Sequence, residues 1–157
     1  MTKDEPDRTV ERAWTRLARA ARHVTDAIEA DLRAAALPPL AWYDVLLELE
    51  RADGHALRPF ELEARLLLAQ YNLSRLIDRI VAAGYVQKRP VTSDRRGHEI
   101  VLLPAGAAIR ARMWPVYAAA IERHLGAGLD RAQTEALAEL LESLLRAGAT
   151  PGSGAGP

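Results

Sequence analysis

Apolar residues recur at helical spacing through most of the chain. Trp14, Leu17, Ala21, Val24, Ile28 and Leu32 follow one another at intervals of three or four, which predicts a long amphipathic helix over about 9–35. The segment LPPL breaks it. LAWYDVLLELER (40–51) predicts a second helix, closed by the turn signal ADG at 52–54. RPFELEARLLL (58–68) carries a proline at its start and predicts a short third helix. QYNLSRLIDRIVAAGY (70–85) predicts a fourth, stopped by Gly84 as its C-terminal cap. The pattern then changes period. YVQKRPV (85–91) and HEIVLLP (98–104) are strand-like runs joined by TSDRRG, the signature of a hairpin, and a tiny further strand is expected near 56–58. Helices over about 105–125 and 130–147 complete the chain, the last with Leu137, Leu140, Leu141, Leu144 and Leu145 on its apolar side.

This order predicts a mainly α fold with a small β-hairpin. At 157 residues and 49% hydrophobic, the chain suffices for one domain with a real core. The charged start MTKDEPD and the tail GATPGSGAGP read as loose ends. The absence of cysteine excludes disulfides, zinc–thiolate sites and thiol redox sensing. His23, His55, His98 and His124 lie too far apart for metal-ligand spacing, so no metal is expected. No apolar run approaches the ~20 residues of a membrane span, and the charged N-terminus is no secretory signal. A cytoplasmic protein without membrane association is expected. Gly-rich phosphate loops, nucleophile motifs and paired carboxylates in a plausible cleft are all missing, so neither a cofactor nor an enzymatic activity is expected.

Net neutrality hides a strong segregation of charge. Residues 1–64 carry nine Lys/Arg against thirteen Asp/Glu, and residues 97–157 are nearly balanced. Residues 65–96 hold Arg65, Arg75, Arg79, Lys88, Arg89, Arg95 and Arg96 against only Asp78 and Asp94. One basic stretch in an otherwise acidic chain suggests a localised polyanion-binding surface. On the fourth helix, Leu73, Leu76, Ile77 and Ile80 share one face; Tyr71, Ser74, Arg75 and Asp78 share the opposite one, flanked by Gln70, Asn72 and Arg79. Asn and Gln pair bidentately with adenine and Arg with guanine, while a helix N-terminus favours a phosphate. A short helix, a brief turn and such an amphipathic helix make a helix-turn-helix, and the basic-tipped hairpin after it makes the winged form.

The sequence also resembles the multiple antibiotic resistance regulators, the MarR family, over about residues 10–147. LSRLIDRIVAAGYV (73–86) is similar to that family's recognition-helix segment, and DRR (94–96) followed by VLLPAG (101–106) to its wing and exit. The resemblance implies 9–36 as an N-terminal dimerisation helix and 37–104 as a winged helix-turn-helix core, with recognition helix 70–83 and wing 85–103. It implies 105–147 as C-terminal helices completing a two-fold dimer. Residues 1–8 and 148–157 are expected to be disordered and flexible. By position, Gln70, Tyr71, Asn72 and Arg75 face bases, and Ser74 and Arg79 hold phosphates. Asp94 braces the wing turn and Arg96 reaches the minor groove, with Arg95 as the alternative inserted residue. Ala69 stands where the family often has a Ser cap, and Leu103 where it often has Thr.

The expected partners are a palindromic double-stranded operator and a second copy of the chain, since one winged helix buries little DNA surface alone. The family often senses small aromatic or phenolic compounds where the dimerisation and DNA-binding parts meet. Trp14, His23, Trp42, Tyr43, Trp114 and Tyr117 are the candidates here. The resulting expectation is a dimeric repressor released by such a ligand. A winged-helix protein-interaction module without DNA binding is the alternative.

Overall fold

The computed structural model of the chain describes residues 7–67, 72–93 and 97–149. Helix α1 (Arg8–Ala34) begins where Asp7 Oδ1 accepts the Thr9 N–H at 2.8 Å, pairing a donor that has no partner within the first turn. It ends at Ala36, held at φ 55°, where the N–H groups of Ala36 and Leu37 donate back to the carbonyls of Arg33 and Leu32. Helix α2 (Leu40–Arg51) starts after the two prolines, and its Leu40 N–H donates to Glu29 Oε1 of α1 at 2.9 Å. A 3₁₀ turn at Asp53–His55 leads into the short strand β1 (Ala56–Leu57). Helix α3 (Pro59–Arg65) has its proline in the first turn, and the Arg58 N–H donates to Glu61 Oε2 at 2.8 Å.

Helix α4 (Leu73–Ala82) closes on Gly84 at φ 77°, where the N–H groups of Gly84 and Tyr85 bond the carbonyls of Val81 and Ile80. Strands β2 (Val86–Pro90) and β3 (His98–Leu102) pair antiparallel, Val86 opposite Leu102 and Pro90 opposite His98. With β1 on the other side of β3, the sheet order is β1-β3-β2. Helix α5 (Pro104–His124) carries Pro115 in its interior, and a 3₁₀ turn at Gly126–Gly128 leads to α6 (Arg131–Ala149). Asp130 and Gln133 cap α6 reciprocally: each backbone N–H donates to the other's side chain, at 2.9 and 2.8 Å.

Two apolar clusters hold these elements. One gathers Leu46, Leu49, Leu62, Ile77, Ile80, Val86 and Ile100 between α2, α3, α4 and the sheet. The other joins α1, α2 and α5 through Ile28, Leu32, Leu40, Tyr43 and Met113. Helix α2 contributes to both, so it is the wall shared by the two halves. At the far end of that second cluster, Arg123 Nη1 and His124 Nε2 of α5 each lie 2.8 Å from Asp31 Oδ2 of α1. Gly106 sits against the chain leaving α4: a Cβ there would collide with the Tyr85 carbonyl oxygen. No helix among the described residues is long and apolar enough to cross a membrane.

The expected mainly α winged helix is what the structure contains, with three differences of extent. Helix α3 ends at Arg65 because Leu66 turns extended (ψ 134°), short of the expected residue 68. Asn72 is the N-cap of α4, so the helix proper begins at Leu73 rather than at Gln70. The regular part of the wing is narrower than 85–103, spanning Val86–Pro90 and His98–Leu102. Along α1 the apolar stripe splits: Ile28 and Leu32 are buried, whereas Val10 and Trp14 are exposed. Helix α6 buries none of its described side chains, and Leu140, Leu144 and Leu145 all stand exposed.

Candidate nucleic-acid interface

Helix α4 keeps its two faces as its sequence implies. Leu76, Ile77 and Ile80 are buried in the core, and this anchors the helix so that Ser74, Arg75, Asp78 and Arg79 project outward and are exposed. The side chains of Arg75 and Arg79 form no ion pair among the described residues. Asn72 does something its place in the pattern did not suggest: its Oδ1 accepts the Arg75 N–H at 3.0 Å. That bond caps the helix and occupies one of the two lone pairs of the Asn72 carbonyl oxygen. Gln70 and Tyr71 lie outside the described residues, as do Ala69 at the expected cap position and Asp94, Arg95 and Arg96 at the wing tip.

The wing strand is less cationic than its composition. Lys88 Nζ lies 2.6 Å from Asp78 Oδ1, tying β2 to α4, and Arg89 Nη2 lies 2.6 Å from Glu99 Oε1 on β3. Two of the basic residues between 65 and 96 are therefore already paired; of the other described ones, Arg75 and Arg79 stand on α4 and Arg65 at the end of α3. Leu103, where a Thr was noted as the commoner residue, is the N-cap of α5 and supplies no side-chain bond. Its N–H instead donates to the Tyr85 carbonyl at 3.0 Å, fastening the end of β3 to the chain leaving α4.

The six aromatic and histidine candidates divide into groups. Tyr43, Trp114 and Tyr117 come together: Tyr43 lies 5.0 Å from Tyr117 edge-on and 6.3 Å from Trp114 nearly stacked, with Trp114 and Tyr117 6.0 Å apart. These rings line an open groove of about 490 Å³ between α2, α5 and the end of α3, whose wall also carries Arg51, Arg65 and Arg110. Burial raises the Tyr117 phenol above its ordinary 10.0, with the Tyr43 phenol and the Asp44 carboxylate adding to the effect. Arg110 is anchored by Glu50, Nε to Oε2 at 2.6 Å. Trp42 belongs elsewhere, edge-on to Tyr85 at 6.0 Å beside the helix-turn-helix core. Trp14 and His23 are exposed on α1 and do not join the groove. The groove's arginines come from three different helices, and no local spacing could have announced them.

Residues 37–97 match the model of the MarR family. Over those residues the chain is similar to the MarR family. Its fold agrees over nearly the whole length with MarR-family structures. The structure of Sco3205 from Streptomyces coelicolor, a MarR family transcriptional regulator in complex with DNA, matches with a TM-score of 0.80 at 22% identity, covering 98% of this chain and 96% of that one. AbsC, a MarR family transcriptional regulator from the same organism, matches with a TM-score of 0.77 at 25% identity, covering 92% and 97%. Among curated relatives, the helix-turn-helix-type transcriptional regulator PrsX of Escherichia coli is 34% identical over 64 residues, which are 41% of this chain and 39% of that relative. The chain thus matches about two-fifths of the length of that relative.

Proposed function

We propose that this chain is a sequence-specific double-stranded DNA-binding regulator, acting as a homodimeric repressor that a small aromatic ligand releases. The observation that carries the DNA-binding part is the exposed face of α4, where the side chains of Arg75 and Arg79 form no ion pair among the described residues and stand beside a wing. Cationic side chains there gain counterion-release free energy from phosphates, and Arg75 is placed near the N-terminus of the helix, the end that reads base edges in a helix-turn-helix. The DNA complex of the Sco3205 neighbour supports this reading.

Support for the homodimer comes from exposed apolar surface. Val10 and Trp14 on α1 and Leu140, Leu144 and Leu145 on α6 are uncovered in one subunit, and a second copy related by a two-fold axis would bury them. Such a dimer sets two recognition helices at a fixed separation and so selects a palindromic site. The groove between α2 and α5 suits an aromatic or phenolic compound: three rings for its apolar body, arginines and a protonated Tyr117 for a polar substituent. It adjoins α3 through Arg65 and Leu67, directly before the chain enters α4. A ligand that fits the groove better in a dimer of altered helix spacing would draw the population away from the operator-bound form.

The test is a mobility shift of the purified protein on the DNA flanking its own coding region, at several salt concentrations, with sedimentation equilibrium for its mass. The reading expects a dimer and a salt-sensitive, sequence-selective shift that loses its selectivity in Arg75→Ala, by ~1–3 kcal/mol at one base position. No shift above random DNA at low salt would refute it, and would turn attention to a protein-interaction role for the winged helix.

A further inference from the structure

On the face of α4 that carries Ser74 and Arg75 there is also a carboxylate. Asp78 lies one turn beyond Ser74, exposed, with its Oδ1 2.6 Å from Lys88 Nζ on β2. The two side chains are 58% and 39% exposed, so neither is needed to fill the core. A carboxylate on a surface meant for a polyanion is a cost unless it has a use. The pair with Lys88 identifies that use.

We infer that Asp78 is an affinity-limiting residue of the DNA-binding surface: it withholds Lys88 from the phosphate backbone. The inference rests on the DNA-binding reading above. Non-specific binding is almost wholly phosphate neutralisation, so each cation taken out of circulation weakens binding to every sequence. Specific binding draws in addition on base contacts such as those of Arg75, which are untouched by that subtraction. Holding Lys88 in an internal pair therefore lowers affinity for random DNA and for the operator by the same factor, limiting overall affinity while discrimination is left to the base contacts. Arg89 shows the same device on the strand side, its guanidinium held by Glu99 at 2.6 Å. Asp78 differs in standing on the recognition helix itself, where its own charge also opposes any register that brings a phosphate against it.

The experiment compares the wild-type full-length protein, Asp78→Asn and the double variant Asp78→Asn with Lys88→Ala. Each is titrated with a random duplex and with an equally long operator duplex across a salt series. Asp78→Asn preserves shape and removes the charge. It is expected to bind the random duplex on the order of five-fold more tightly at 0.1 M salt, with a log–log salt slope steeper by about 0.9, the value for one added phosphate contact. Operator affinity rises by the same factor, so the ratio of operator to random affinity stays as in the wild-type protein. The double variant returns to the wild-type slope. A slope unchanged in Asp78→Asn, or weaker binding to both duplexes, overturns the inference and makes the pair a brace for the wing. A double variant that keeps the steeper slope overturns the part assigned to Lys88. If the wild-type protein shifts neither duplex, it is the DNA-binding reading that fails.

Discussion

Asn72→Ala separates two roles that a polar residue at the start of a recognition helix can play. In the structure its Oδ1 accepts the Arg75 N–H at 3.0 Å, and α4 has only 10 residues. A helix so short does not persist alone and depends on its caps and on the packing of Leu76, Ile77 and Ile80. Replacing an Asn N-cap by Ala costs ~1 kcal/mol. For a chain of this size, ~1 kcal/mol corresponds to a fall in Tm of roughly 2–4 °C at matched protein concentration. Asn72→Asp keeps an acceptor oxygen and adds a negative charge at the positive end of the helix dipole, so it should melt at or above the wild-type temperature. The same Asp should weaken DNA binding, because it sets a carboxylate where phosphates approach. Thermal melts followed by circular dichroism, with hydrogen exchange at the Arg75 amide, measure the first effect, and a mobility shift measures the second. If Asn72→Ala melts with the wild-type protein and the Arg75 amide exchanges no faster, the capping role is refuted and Asn72 returns to the base-reading role its place in the sequence suggested.

Two further outcomes follow from the packing and the groove. Gly106→Ala drives a methyl group against the Tyr85 carbonyl at the junction of wing and α5, and overpacking of this kind costs ~1–3 kcal/mol; urea titration should show a lowered midpoint with an unchanged slope. Burial raises the Tyr117 phenol in the folded state above its unfolded value, so the stability it contributes is full below the unfolded pKa and is lost as pH rises through the folded one. Stability measured through and above pH 10 should therefore fall more steeply in the wild-type protein than in Tyr117→Phe, and parallel curves would contradict the assignment.

Much of the architecture was legible in the order of residues. Periods of 3.6 and 2 depend only on which neighbours share a face, so the helices, the hairpin and the apolar side of α4 follow from the local pattern. Gly84 marks the helix end because glycine takes the left-handed conformation, φ 77° here, without the penalty of a Cβ. What the local pattern does not contain is who meets whom. Glu29 capping α2 reaches across eleven residues, Arg110 finds Glu50 across sixty, and His124 finds Asp31 across ninety-three. The six aromatic and histidine candidates looked alike along the chain, and only the crossing of α2 with α5 drew Tyr43, Trp114 and Tyr117 into one groove while leaving Trp14, His23 and Trp42 apart.

Charge divides in the same way. Composition alone determined that residues 65–96 are basic, because counting needs no geometry. Which of those cations remain available to a phosphate is decided by distance, since an ion pair forms only where two side chains come within about 4 Å. The antiparallel register of β2 and β3 sets Arg89 opposite Glu99, and the packing of α4 on the sheet sets Asp78 beside Lys88, while Arg75 and Arg79 on α4 form no ion pair among the described residues.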